Sequence, residues 1–228
     1  MQCVILAAGE GRRMRPLTNE HPKPLVTLCG VPLLDHIVGA LPNAITELII
    51  VIGYKGEQIK AHCGDVYHGR NVTYVWQQEP KGTADALFLA QPHLRGRFLL
   101  LFADDLHGKD DLAQALQYDV SLLVRRHEHP ERFGVVSLND RGYLKKITEK
   151  PEIPETDLVS TGGMVLDERI FNYKTEPAVN GEYYIPPLLQ SLAADTDVAV
   201  VHESFWLPIG YPEDLARAET FLNGMTKV

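Results

Sequence analysis

The sequence predicts a three-layer α/β domain built on a mainly parallel sheet, with an antiparallel subregion in its second half. Three observations carry that prediction. Strand-like runs alternate with helical segments over residues 1–124. Those runs are almost continuously apolar, as strands covered on both faces are, rather than alternating apolar and polar. Later in the chain Asn139-Asp140-Arg141-Gly142, a turn signal, stands between two β-rich runs and predicts a hairpin.

In order, the first strand is Cys3-Val4-Ile5-Leu6-Ala7-Ala8. Residues 31–41 carry apolar side chains at helical spacing, with Pro32 at a tolerated first-turn position, and 47–52 is a β-rich run ending at Gly53. The alternation continues with a polar helix at 56–62, a strand at 72–76, a helix at 83–90 and a fully apolar strand at 98–102. Residues 120–124 give another strand, and 133–138 and 143–148 give the hairpin. A strand at 158–166 passes through Gly162-Gly163, then come a helix at 185–194, a strand at 198–201 and a closing helix at 212–222. No repeat, low-complexity tract or linker interrupts the series, so residues 1–228 read as one domain.

Composition excludes several function classes. With 228 residues and 45% hydrophobic content the chain is ordinarily globular. It contains no apolar run near the roughly 20 residues a bilayer requires. The first strand starts at once and runs into a glycine loop, without the basic n-region of a signal peptide, so a cytoplasmic protein is expected. A net charge of −8 argues against a general nucleic-acid partner. Cys3, Cys29 and Cys63 are odd in number and form no C-x-x-C pair, so they read as buried thiols rather than a disulfide or zinc set.

Against that acidic background the opening loop stands out. The strand breaks into Gly9-Glu10-Gly11-Arg12-Arg13-Met14-Arg15-Pro16-Leu17-Thr18, followed by Lys23-Pro24. Small residues let backbone approach a ligand, free N–H groups in such a turn attract anions, and the arginines and Lys23 add cations suited to a polyphosphate. A P-loop is excluded because the G-x-x-x-x-G-K-[ST] spacing is absent. A dinucleotide fingerprint is excluded because Met14 replaces its third glycine.

Other candidate residues follow later strands, where an open α/β sheet binds ligands. Gln77-Gln78-Glu79-Pro80-Lys81-Gly82-Thr83 offers an amide and a glycine suited to a nucleobase edge, or a polar loop capped by Thr83. Ala103-Asp104-Asp105 sets two carboxylates after the most apolar strand, where a cation such as Mg²⁺ would relieve their repulsion. Gly134, then Glu149-Lys150-Pro151, then Ser160-Thr161-Gly162 offer a carboxylate for sugar hydroxyls, an ammonium for a phosphate and glycines a ring can lie against.

The run from Leu6 to Thr18 with Lys23-Pro24 resembles the L-A-G/A-G-x-G-x-R-[LM]-x-P-L-T…K-P signature of the sugar-phosphate nucleotidyltransferase family. The resemblance extends from Met1 to the Pro212-Glu213-Asp214-Leu215 segment, with its motifs in family order. It implies the Rossmann-like nucleotide-diphospho-sugar transferase fold and the joining of a nucleoside triphosphate to a sugar 1-phosphate with release of pyrophosphate. It also implies that 1–124 is a nucleotide-binding half, 125–209 a sugar-side lobe and 210–228 a closing helix.

By the same resemblance Leu6, Ala7, Ala8, Gly9, Gly11, Gln77, Gly82 and Thr83 bind nucleotide, and Gly134, Glu149, Lys150, Thr161 and Gly162 bind sugar phosphate. Arg13, Lys23 and Asp104 are catalytic, and Asp104, together with Asp105 as a further candidate, holds Mg²⁺. Gln77 leans towards uracil or thymine, glucose 1-phosphate is the default sugar, and Asp85 is expected to be a helix-face acid. The role of Glu182, in Gly181-Glu182-Tyr183-Tyr184, is left open. An attached hexapeptide-repeat acyltransferase, found in some members, is not expected.

One position departs from the pattern. Where the family has W-x-D-x-G-T, with a second metal-binding aspartate, this chain has Trp206-Leu207-Pro208-Ile209-Gly210-Tyr211. Three readings are open: another acid such as Asp105 substitutes, Asp104 and phosphates suffice, or catalysis is impaired. Two further functions stay open with it, a cytidylyltransferase for a non-sugar phosphate such as phosphocholine and a non-catalytic nucleotide-sugar sensor.

Overall fold

The computed structural model describes residues 1–225. Its strands are β1 (Gln2–Ala7), β2 (Thr27–Leu28), β3 (Val31–Pro32), β4 (Glu47–Ile52), β5 (Val66–Tyr67), β6 (Arg70–Trp76), β7 (Phe98–Phe102), β8 (Asp105–His107), β9 (Ser121–Arg126), β10 (Gly134–Leu138), β11 (Leu144–Glu149), β12 (Leu158–Leu166), β13 (Ala199–His202) and β14 (Trp206–Pro208). Its helices are α1 (Leu33–Gly39), α2 (Gly56–Cys63), α3 (Thr83–Ala90), α4 (Lys109–Ala115), α5 (Ile185–Asp195) and α6 (Pro212–Met225).

One large sheet has the order β11-β10-β12-β7-β1-β4-β6-β5, and β9 joins β12 to β13 beside it. β1 is central and parallel to both β4 and β7, and β4 is parallel to β6. The continuous apolar sequence of these strands now has its cause. Cys3, Ile5, Leu99 and Leu101 pack into one layer with α1, α2, α4 and α6, while Val4, Leu6, Phe98 and Leu100 pack into the opposite layer with α3 and α5. Alternate side chains thus enter different cores, and each fully buried Leu, Ile or Val contributes on the order of 2 kcal/mol.

The second half turns largely antiparallel as expected, although β13 runs parallel to β9. β12 pairs antiparallel with β7 and β9, and its register with β9 breaks between Ser160 and Met164, around the two glycines. β10 and β11 form the hairpin, whose turn is fastened by Asn139 Oδ1 accepting from the N–H groups of Arg141 and Tyr143.

Several boundaries differ from expectation. Residues 31 and 32 pair with β2, which holds Pro32 extended at ψ 143°, so it serves as N-cap and the helix begins only at Leu33. The strand read at 120–124 occupies Ser121–Arg126. Cys3 and Cys63 are buried, but Cys29 is exposed in a turn with φ 51°. Helix α4 and the antiparallel pair β8–β14 have no counterpart in the sequence reading. Among the described residues no helix is long and apolar enough to cross a membrane.

Asp111, in the first turn of α4, is buried and anchors the link from β13 to β14. Its carboxylate accepts from the N–H and hydroxyl of Ser204 and from the N–H of Phe205, all at 3.0–3.1 Å. Asp111→Ala would leave these donors without an acceptor, and the expected loss is about 2–4 kcal/mol of unfolding free energy in urea titrations. A loss below about 0.5 kcal/mol would show that the link is held by something else.

Candidate active site

Because β1, β4, β6 and β7 run parallel, their carboxyl ends share one edge of the sheet. The loops leaving that edge surround a cavity of ≈ 1990 Å³, lined by all of the site residues singled out in the sequence.

β1 delivers Ala8 and Gly9 to the cavity, and after Gly11 a single 3₁₀ turn, Arg12–Met14, buries Met14 completely while Arg12 and Arg13 stay exposed. The loop is fastened from behind. Thr18, fully buried, donates its hydroxyl to the Gly11 carbonyl at 2.9 Å. Tyr54, Lys55 and Gln58, at the start of α2, donate to the carbonyls of Thr18, Asn19 and Glu20. Arg12 pairs with Glu10 at 2.6 Å, and Arg13 lies over the Tyr211 ring with 5.1 Å to its centroid.

Lys23 reaches across to Asp104, with Nζ to Oδ2 2.6 Å. The Lys23 side chain is 11% exposed and that of Asp104 35%, so the carboxylate is the partner open to the cavity. Asp105 follows directly, and its Oδ1 accepts from Trp206 Nε1 at 3.0 Å. Burial and the neighbouring Asp104 push the Asp105 carboxyl up to about 8. β8 places Asp105 directly opposite Pro208 of β14, and Ile209 N donates to the Asp104 carbonyl at 2.8 Å. The proline that lacks a carboxylate is therefore the ladder neighbour of a residue that has one.

On one side of this centre lie Gln77, Gly82 and Thr83. Gln77 is buried, and its amide Nε2 donates to the Gly82 carbonyl at 3.0 Å and to Asp85 Oδ2 at 2.8 Å. Gly82 has φ 94°, and a Cβ there would collide with the carbonyl oxygen of Tyr183, whose backbone bonds Lys81 and Ala84. On the other side lie Gly134, paired in register with Glu149, and Lys150, a non-glycine residue at φ 42°. Gly162 has φ 91°, and a side chain there would meet Phe102 at 2.5 Å and Asp105 at 2.9 Å, so the cavity floor depends on its absence. Thr161 is buried, and its hydroxyl has no hydrogen-bond partner among the described residues.

Four participants were missed from sequence: Asp85 beside Gln77, Tyr183 against Gly82, Trp206 on Asp105 and Tyr211 under Arg13. Asp85 lies only eight residues from Gln77, but its contact depends on how that loop folds, and Trp206 and Tyr183 meet partners about a hundred residues earlier in the chain.

Three kinds of likeness complement this geometry. A family model described as nucleotidyl transferase matches residues 2–224. The chain is 37% identical to the UTP–glucose-1-phosphate uridylyltransferase AglF of Haloferax volcanii, covering 99% of this chain and 98% of that protein. It is 31% identical to the bifunctional protein GlmU of Methanocaldococcus jannaschii, over 97% of this chain but only 54% of that longer protein. Among solved structures, a Bacillus anthracis protein described as a glucose-1-phosphate thymidylyltransferase, in complex with sucrose, superposes with TM-score 0.88 at 25% identity, over 97% of this chain and 94% of that one. A UDP-glucose pyrophosphorylase complexed with UDP-glucose shares the fold, with TM-score 0.84, 21% identity and 98% coverage of both chains.

Gly82→Ala should force the Tyr183 segment off the loop. UTP titrated calorimetrically into the variant is expected to bind at least about tenfold more weakly than to the wild type, the equivalent of the 1–3 kcal/mol that a strained backbone costs. Equal affinity would show that this contact does not shape the cavity.

Proposed function

The chain belongs to the nucleotidyl transferase family, and from that premise we propose that it transfers a nucleotidyl group from UTP or dTTP to a sugar 1-phosphate, releasing pyrophosphate. The observation that carries this reading is the 2.6 Å Lys23–Asp104 pair, standing in one cavity between Gln77 and Gly82 on one side and Gly134, Glu149 and Lys150 on the other. In it residues 1–124 serve the nucleotide and 125–209 the sugar phosphate, and the reaction runs in the cytoplasm.

A phosphate oxygen of the sugar 1-phosphate attacks the α-phosphorus in line. The new P–O bond forms as the bond from the α-phosphorus to the oxygen bridging to the β-phosphate breaks, and that electron pair leaves with pyrophosphate. No covalent enzyme intermediate is required, so positioning and charge neutralisation supply the rate. Lys23 leaves Asp104 for the α-phosphate and the sugar phosphate, whose mutual repulsion it offsets. Arg13, steadied on Tyr211, faces the departing pyrophosphate. Lys150 holds the sugar phosphate, Glu149 accepts from sugar hydroxyls, and the Ala7 to Gly11 backbone cradles the triphosphate.

The acids present fit Mg²⁺. Among the described residues no three His, Cys, Asp or Glu side chains form a metal cage. Mg²⁺, however, takes one or two carboxylates and completes its shell with phosphate and water oxygens. Asp104, open to the cavity, and Asp105, one rung across from Pro208, are the residues that would hold it. Bound there, the ion supplies further neutralisation of phosphate charge. The uridylyltransferase relative at 37% identity supports turnover on a sugar phosphate over a silent sensor or a phosphocholine enzyme.

Pyrophosphate release over a panel of nucleoside triphosphates and sugar 1-phosphates with Mg²⁺ tests the proposal, and EDTA should abolish it. Lys23→Ala is expected to lower kcat by at least about 100-fold, as removal of a group aimed at developing charge does. Turnover within a few-fold of wild type would remove Lys23 from the chemistry.

A further inference from the structure

Asp85 takes no part in the reaction above, and its place in the first turn of α3 suits a solvated acid complementing the helix dipole. Its contact points elsewhere. The Gln77 backbone is pinned by its N–H to the Ile52 carbonyl at 2.9 Å, and the residue is buried. Both hydrogens of Nε2 are spent inside the protein, on Gly82 O at 3.0 Å and Asp85 Oδ2 at 2.8 Å. The opposite flip would turn Oε1 towards a carbonyl and a carboxylate, two acceptors facing a third, and only the nitrogen end satisfies both. The Gly82 carbonyl also accepts from the Ala86 N–H at 3.2 Å, and the residues on either side of Gly82 are held by the backbone bonds of Tyr183 to Lys81 and Ala84. Oε1 accepts nothing from the described residues, yet it is not among the buried side-chain atoms left without a partner, so its open side is the cavity that Gln77 lines.

We infer that Asp85 is the specificity-determining positioning residue for the base: it locks the Gln77 amide so that an acceptor, not a donor, meets the nucleotide, and thereby selects uracil or thymine over cytosine. The inference rests on the cavity being the nucleotide site proposed above. Uracil and thymine carry a hydrogen on ring N3, which Oε1 accepts, whereas cytosine carries a lone pair there, and an acceptor facing a lone pair leaves both buried and unpaired. Sites that hydrogen-bond a substrate N–H reject analogues lacking it far more strongly than apolar pockets do, because their own polar groups are then stranded.

The test is kinetic and needs wild type, Asp85→Ala, which removes the acceptor, and Asp85→Asn, which keeps one oxygen able to accept. Wild type should prefer UTP or dTTP to CTP by at least about 100-fold in kcat/KM. Asp85→Ala should raise KM for UTP about tenfold with kcat within about threefold, and should lower the UTP to CTP ratio about tenfold, the effect of freeing one hydrogen bond. Asp85→Asn should hold that ratio within about threefold of wild type. An acid that merely supported the helix would lower Tm in Asp85→Ala and leave the ratio unchanged, which overturns the inference, as does a wild-type preference for CTP, ATP or GTP. Calorimetric titration of UTP and CTP into the same three proteins gives the ratio without turnover. Wild type that binds UTP selectively but releases no pyrophosphate with any sugar 1-phosphate sinks the proposed reaction and leaves the base lock standing. Equal binding of UTP and CTP sinks the lock.

Discussion

The parallel placement of β1 between β4 and β7 is the constraint on which the site depends. Residues 2–6 of β1 pair with 47–51 on one side and 98–102 on the other, all in step, so Ala7, Ile52 and Ala103 stand at one level where the strands end. Lys23 comes from the loop after β1 and Asp104 from the loop after β7, 81 residues apart in sequence. Two buried cores clamp the sheet from opposite faces, which fixes the register because a one-residue slip would send each strand's side chains to the wrong layer. The ion pair is therefore a consequence of hydrophobic packing made elsewhere.

The second support is the antiparallel part. β12 lies beside β7 and carries the Gly162 kink to the cavity floor, while the β10–β11 hairpin brings Gly134 opposite Glu149. The three-residue strands β8 and β14 then stitch the acidic turn to the segment leading into α6. This ladder explains how the chain places a carboxylate near the rung where its relatives' pattern leads one to expect an aspartate and proline stands. Asp105 faces that rung, and Trp206, from the same short strand as Pro208, holds its carboxyl.

Much of this was legible in the sequence because the informative signals are local. Continuous apolar strands imply two covered faces, Asn139 to Gly142 announces a turn, and the residues from Leu6 to Lys23 resemble the family signature. What escaped is set by long-range contact. β8 and β14 have three residues each, too few for a period to appear. Pro32 begins no helix because Val31 and Pro32 find a partner in β2. Asp85 reads as an ordinary first-turn acid until the loop from Gln77 folds back on it, and Asp111 gains its role from Ser204 and Phe205, more than ninety residues on. Sequence patterns report which face a residue occupies, whereas a hydrogen bond across two elements depends on their packing.

Arg12 and Arg13 stand exposed at the cavity mouth of a chain whose net charge is −8. At physiological ionic strength the Debye length is about 8 Å, so an approaching polyanion senses these cations and little of the acidic surface beyond them. In the proposed reaction, capture of the triphosphate is thereby separated from the repulsion of the chain's net charge. After transfer most of the triphosphate's charge passes to pyrophosphate and the smaller share stays on the nucleotide sugar, so the same cations would hold the inorganic product more firmly than the sugar nucleotide.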